Sequence, residues 1–211
     1  MRFREPVNAW SHLVGLVLAV AGTILLLRMA HGARETLAFT LYGVSLVVLY
    51  AASTLYHALA LQPRRLRTLR VFDHIAIYFL IAGTYTPVAL VTLHGPWGWT
   101  LLAVAWTIAV AGIPFKLLFL DAPTWLSTGI YLAMGYMALL AAMPLASAVP
   151  LSGLAWLAAG GIAYTVGAFI FAWRRPDPFP GVFGHHEIWH LLVLVGSGCH
   201  FAFMVRYVAA A

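Results

Sequence analysis

Residues 37–60 read LAFTLYGVSLVVLYAASTLYHALA, an apolar run with no Asp, Glu, Lys or Arg. A helix that crosses a bilayer needs about 20 such residues. This run ends on Ser53 and His57, which are four positions apart and therefore on one helical face. Outward from it, further apolar runs occupy about 12–30, 71–93, 97–119, 124–143, 152–173 and 187–208. The predicted fold is an all-α membrane protein, a seven-transmembrane helix bundle with short connections. It forms a single domain over residues 1–211.

Composition agrees with that class. The chain is 63% hydrophobic and 9% charged, with a mean hydropathy of +0.92; a soluble domain carries about 25% charged residues. The net charge of +6 is no nucleic-acid footprint, because it comes from only 12 basic residues. Most of these sit in short segments between apolar runs, where they act as topology signals facing an anionic leaflet. The lone cysteine, Cys199, has no partner for an intramolecular disulfide and reads as a small buried packing residue. Met1–Arg4 and Ala19-Val20-Ala21 resemble a signal peptide and its cleavage site. The apolar run continues through Leu27, however, so a retained first span is expected.

Orientation follows from the basic residues. One side holds nine: Arg2, Arg4, Arg64, Arg65, Arg67, Arg70, Lys116, Arg174 and Arg175. The other holds three: Arg28, Arg34 and Arg206. The N-terminus is therefore expected in the cytoplasm and, after seven spans, the C-terminus outside. The cell (plasma or inner) membrane is the expected location. Trp97, Trp99, Trp125 and Trp173 lie at helix ends, as interfacial anchors do.

Ionisable groups inside a membrane bundle are costly and mark function. With this orientation Ser53 and His57 lie near the cytoplasmic end of span two. Asp73 opens span three, and His186 and His190 open span seven. Five groups from three spans thus share one depth. The His186-x-x-x-His190 spacing puts two imidazoles on one face, about 6 Å apart along the axis. Three histidines with an open position form the donor set of catalytic zinc, where water is the fourth ligand. Asp73 is read either as the base acting on that water or as a direct ligand, and Ser53 as a group that orients the water or substrate. Alone, Asp73 also reads as a helix cap and Ser53 as a small packing residue. His12 sits at the right depth and is a reserve candidate. His74, His185 and Glu187 point off the ligand face. Glu187 is assigned to the helix start or to a contact behind the ligands. His31 and His94 lie in loops, and His200 is about 15 Å further along the last helix.

Several stretches together resemble one known family. They are Glu5-Pro6-Val7-Asn8-Ala9-Trp10-Ser11-His12, Ser53-Thr54-Leu55-Tyr56-His57, Phe72-Asp73-His74, His186-Glu187-Ile188-Trp189-His190 and Gly196-Ser197-Gly198-Cys199-His200-Phe201. In this order they are similar to the haemolysin III family, bacterial relatives of the progestin and adipoQ receptors, which include the adiponectin receptors. The resemblance covers the whole chain. It implies seven spans with the N-terminus inside, Zn2+ held by His57, His186 and His190, and Ser53 and Asp73 beside the metal-bound water. It further implies a likeness to alkaline ceramidases, and hence lipid-amide hydrolysis.

Three functions are then in competition. The first is a zinc-dependent hydrolase of a lipid amide or ester near the cytoplasmic leaflet. The second is a receptor-like sensor of membrane lipid in which zinc is structural. The third is a cytolytic (haemolysin) protein or channel, which would need polar faces through the full bilayer; the outer halves of the spans are nearly free of charge. The expected partner is a membrane lipid or lipid-derived substrate, with no nucleic acid. Asp73 is expected to act on the bound water and Ser53 to position water or substrate, neither being a primary ligand.

Overall fold

Pro6 starts the first of seven long helices in the computed structural model, which describes residues 3–210. Met1, Arg2 and Ala211 lie outside the described residues, and so do the expectations that rest on them. The helices are α1 (Pro6–Met29), α2 (Ala33–Ala58), α3 (Pro63–Leu93), α4 (Gly95–Leu118), α5 (Thr124–Ala148), α6 (Leu151–Trp173) and α7 (His185–Val208). Each is long and apolar enough to cross a membrane. The chain is a multi-pass membrane protein.

Two helices begin well before the position that hydropathy predicts. Helix α1 starts at Pro6 and not near 12; α3 starts at Pro63 and not near 71. Proline suits the first helical position because its missing N–H would have no partner there. The arginines that follow Pro63 are good helix formers, so the helix extends as a polar turn or two beyond the apolar run. Asp73 consequently lies well inside α3. The cap position belongs to Gln62, which removes the reading of Asp73 as a helix cap. Irregular turns interrupt other spans. A π turn follows Pro87 at Val88–Leu93, and a 3-10 turn spans Met137–Ala141 in α5.

Helices α2 and α3 are the most enclosed, and the others turn one face outward. Phe39, Tyr42, Leu46 and Leu49 of α2 pack with Leu26 of α1, Leu80 of α3 and Phe203 of α7. Small residues let backbones approach closely, as membrane helix pairs require. A Cβ on Gly15 of α1 would lie 2.5 Å from Tyr50 of α2. The outward residues Leu140, Met143 and Leu151 are at least three-quarters exposed, a surface that lipid covers and water would not tolerate. Trp97, Trp99, Trp125 and Trp173 are exposed at helix ends, as a belt requires. Cys199 is half-buried on α7 rather than sealed in a core. Lys116, counted above among the topology cations, is instead fully buried within α4.

Helices α1, α3, α5 and α7 start, and α2, α4 and α6 end, at one end of the bundle. There the segment before α1 docks on the end of α2. The Glu5 N–H donates to the His57 carbonyl at 3.0 Å, and the Arg4 N–H to that of Ala58 at 3.3 Å.

Candidate metal centre

The last turn of α2 and the first two turns of α7 meet at this docked end. His57, His186 and His190 there offer ring nitrogens that all lie within 4.8 Å of one another. Their ring centroids form a near-equilateral triangle with sides of 5.0, 4.7 and 4.8 Å. His57 is fully buried and His190 almost so. Among the described residues this is the one group of histidines, cysteines and carboxylates close enough to hold an ion. Asp73 stands outside it.

Hydrogen bonding fixes the state of His57. Its Nδ1–H donates to Glu5 Oε2 at 2.5 Å. A ring nitrogen that donates leaves the opposite nitrogen with a free lone pair. That nitrogen, Nε2, is buried and has no hydrogen-bond partner. His190 Nδ1 is likewise buried and unpartnered. Leaving such atoms unpaired costs about 1–3 kcal/mol each. Converging imidazoles with unsatisfied nitrogens match what a divalent ion accepts, so the residues fit a bound metal.

A carboxylate behind a ligating histidine is the usual outer support of a metal site. Here it comes from an element to which the sequence reading gave no role. Glu5 is held by Arg4, whose guanidinium lies 3.0 Å from Glu5 Oε1 and also donates to the Tyr56 carbonyl at 2.8 Å. Burial alone would raise the Glu5 carboxyl. The hydrogen bond from His57, with the charge of Arg4, outweighs it and holds the group down at about 2. Asn8 Nδ2 donates to Glu187 Oε1 at 2.9 Å and reaches Glu5 Oε2 at 3.4 Å, which joins α1 to α7. Glu187 Oε2 accepts from the Gly184 N–H at 2.8 Å and so also anchors the start of α7. The signal for Glu5 and Asn8 was present: two polar residues three apart, just before an apolar run.

His12 is buried, stacks on His190 with centroids 3.8 Å apart and makes a T-shaped contact with Tyr50. It buttresses a ligand candidate and is not in the three-imidazole group. His74 donates through Nδ1 to the Arg70 carbonyl at 2.7 Å. His200 bonds through Nε2 to the Leu157 carbonyl at 3.3 Å. His185 also stays outside the group.

The centre opens on a cavity of about 680 Å³. Ser53 and Asp73 line it together with His12, His186 and His190. Its other walls are mainly apolar, including Leu80, Val88, Leu145 and Leu154. Tyr136, Leu139 and Ile162 also line it, and all three are exposed on the outer surface of α5 and α6. The cavity therefore communicates sideways with the surface that faces lipid. Ser53 is buried, and Asp73 keeps 14% exposure.

Known proteins extend these observations. The chain is 44% identical over 207 residues to Hemolysin-3 of Bacillus cereus, covering 97% of this chain and 91% of that one. It is 39% identical over 206 residues to the Hemolysin-3 homolog of Bacillus subtilis (strain 168), covering 96% and 93%. A distant likeness, 22% identity over 222 residues, links it to the adiponectin receptor protein of Drosophila melanogaster, covering 93% of this chain and 49% of that one. The family model described as haemolysin-III related matches residues 1–201, and the chain belongs to that family.

Proposed function

We propose that this protein is a zinc-dependent hydrolase of a membrane lipid amide or ester, working near the cytoplasmic leaflet. The observation that carries the reading is the meeting of two features. Three imidazoles converge, two of them buried with an unpartnered nitrogen, and His186 and His190 stand on the wall of an apolar cavity that also holds a carboxylate and a hydroxyl. Imidazole donors suit zinc, as they also suit copper, iron and nickel.

His57, His186 and His190 hold the ion. Glu5 orients His57 and fixes its tautomer. When bound, zinc polarises the scissile carbonyl and acidifies water to a pKa near 7. Asp73 takes the proton of the attacking water on its carboxylate and returns it to the leaving nitrogen or oxygen. The water oxygen forms the new bond to the acyl carbon as the C–N or C–O bond breaks. The products are a fatty acid and an amine or alcohol. Ser53 donates its hydroxyl proton to the substrate oxygen or the water and holds it in line. The apolar walls accept the acyl chain and exclude bulk water.

A receptor-like reading shares the same cavity and ion but has no turnover. The distant relation to a protein named as an adiponectin receptor favours it. A cytolytic reading rests on the name Hemolysin-3 of two relatives. The leucine- and valine-rich walls of the cavity weigh against an ion path.

The test is fatty-acid release from a panel of ceramides, N-acyl amines and glycerolipids by purified, zinc-loaded protein, with His190→Ala as control. Release by the wild type and none by His190→Ala supports the hydrolase. Full zinc loading without release from any lipid transfers the lead to the receptor-like reading.

A further inference from the structure

Lys116 is unlike the other basic residues. A lysine at a helix end normally stretches its ammonium into the headgroup region, but Lys116 has no exposure at all. It forms no ion pair among the described residues. Its single oxygen partner is Ser127 of α5, with Nζ donating to Oγ at 2.6 Å. Nζ otherwise faces aromatic rings, those of Phe115 at 5.2 Å and Tyr131 at 5.8 Å. An ammonium has three donors and no acceptor, so this one is under-satisfied.

Ser127 faces the cavity described above, as do Thr128, Tyr131 and Arg70. Because Ser127 Oγ accepts from Lys116, its own proton is free to donate into that cavity. A hydroxyl that accepts from an ammonium is polarised and becomes a stronger donor. This wall belongs to α4 and α5, whereas the three histidines come from α2 and α7. We propose that Ser127 and Lys116 form an anion-recognising subsite, in which Ser127 donates to a carboxylate or phosphate oxygen of a single-chain lipid and Lys116 supplies the compensating charge. The inference rests on the reading that a lipid occupies the cavity. It requires neither hydrolysis nor a bound metal.

The test uses the full chain in neutral phosphatidylcholine nanodiscs after chelation, so that no metal can capture an anionic head. Hexadecanoate, hexadecyl phosphate and hexadecanol compete with a fluorescent fatty acid. The two anions should bind at least about tenfold tighter than the alcohol, the scale of a lost charge-assisted hydrogen bond. Lys116→Met and Ser127→Ala should each remove most of that preference, with a much smaller effect on the alcohol. If Lys116→Met does not fold, Ser127→Ala and the wild-type head-group comparison still decide. Equal binding of acid and alcohol by wild type would overturn the subsite, as would a preference that survives in Ser127→Ala. Displacement by inorganic phosphate or acetate alone would show a free-anion site and overturn the lipid assignment. If none of the three chains binds, the cavity-lipid reading fails and the subsite with it. Failure of fatty-acid release leaves this result untouched, so the two failures are distinguishable.

Discussion

Replacing Glu5 by alanine should weaken metal binding about 10- to 100-fold, the range for outer-shell partners of ligating histidines. That factor corresponds to about 1.4–2.7 kcal/mol. The structure puts Glu5→Ala near the upper end. His57 is fully buried with Glu5 in place, and its Nδ1–H depends on the carboxylate that it reaches at 2.5 Å. The substitution removes that charged acceptor and frees the ring to rotate or change tautomer. Glu5→Gln should lie near the lower end, because the amide oxygen still accepts but carries no charge. Arg4→Ala should cost less than either. Its ion pair with Glu5 joins side chains that are 24% and 34% exposed, and such pairs contribute about 0–1 kcal/mol. The assay is zinc competition against a chromophoric chelator, with folding checked by helical circular dichroism. If Glu5→Ala binds zinc within about twofold of wild type, the outer-shell role is refuted.

Asp73→Asn should retain zinc and lose any lipid hydrolysis by about 10² to 10⁴; loss of zinc, read by elemental analysis, would make Asp73 a ligand instead. Gly15→Val should lower thermal stability in detergent by about 1–3 kcal/mol, because the new side chain meets the Tyr50 ring; an unchanged melting temperature would contradict the close α1–α2 approach. A reporter fused after the last residue should be active only outside the cytoplasm; cytoplasmic activity would reverse the topology read from the basic residues.

The seven spans were legible because hydrocarbon leaves few alternatives to helices of about 20 apolar residues. Their polar first turns were not. The arginines after Pro63 carry no hydropathy signal, yet they continue α3 and move Asp73 into its interior. The shared depth of His57, His186 and His190 could be read from helical spacing, since each lies within two turns of an apolar-run boundary. The support from Glu5 could not. Its partner His57 is 52 positions away, and only the docking of the chain before α1 brings them together. His12 was placed at the right depth, but a stack on His190 depends on how α1 and α7 are rotated. Lys116 was misread for a related reason: sequence places a lysine at a helix end but does not show whether its ammonium turns outward or inward. The cavity was invisible because no single helix encloses it.

Whether His57, His186 and His190 hold one ion is tested most directly by metal content. Wild-type protein purified without added chelator should contain one zinc per chain by inductively coupled plasma mass spectrometry. The His57→Ala/His186→Ala double variant, with helical content unchanged, should contain almost none. Full stoichiometric zinc in that variant would contradict the centre described here.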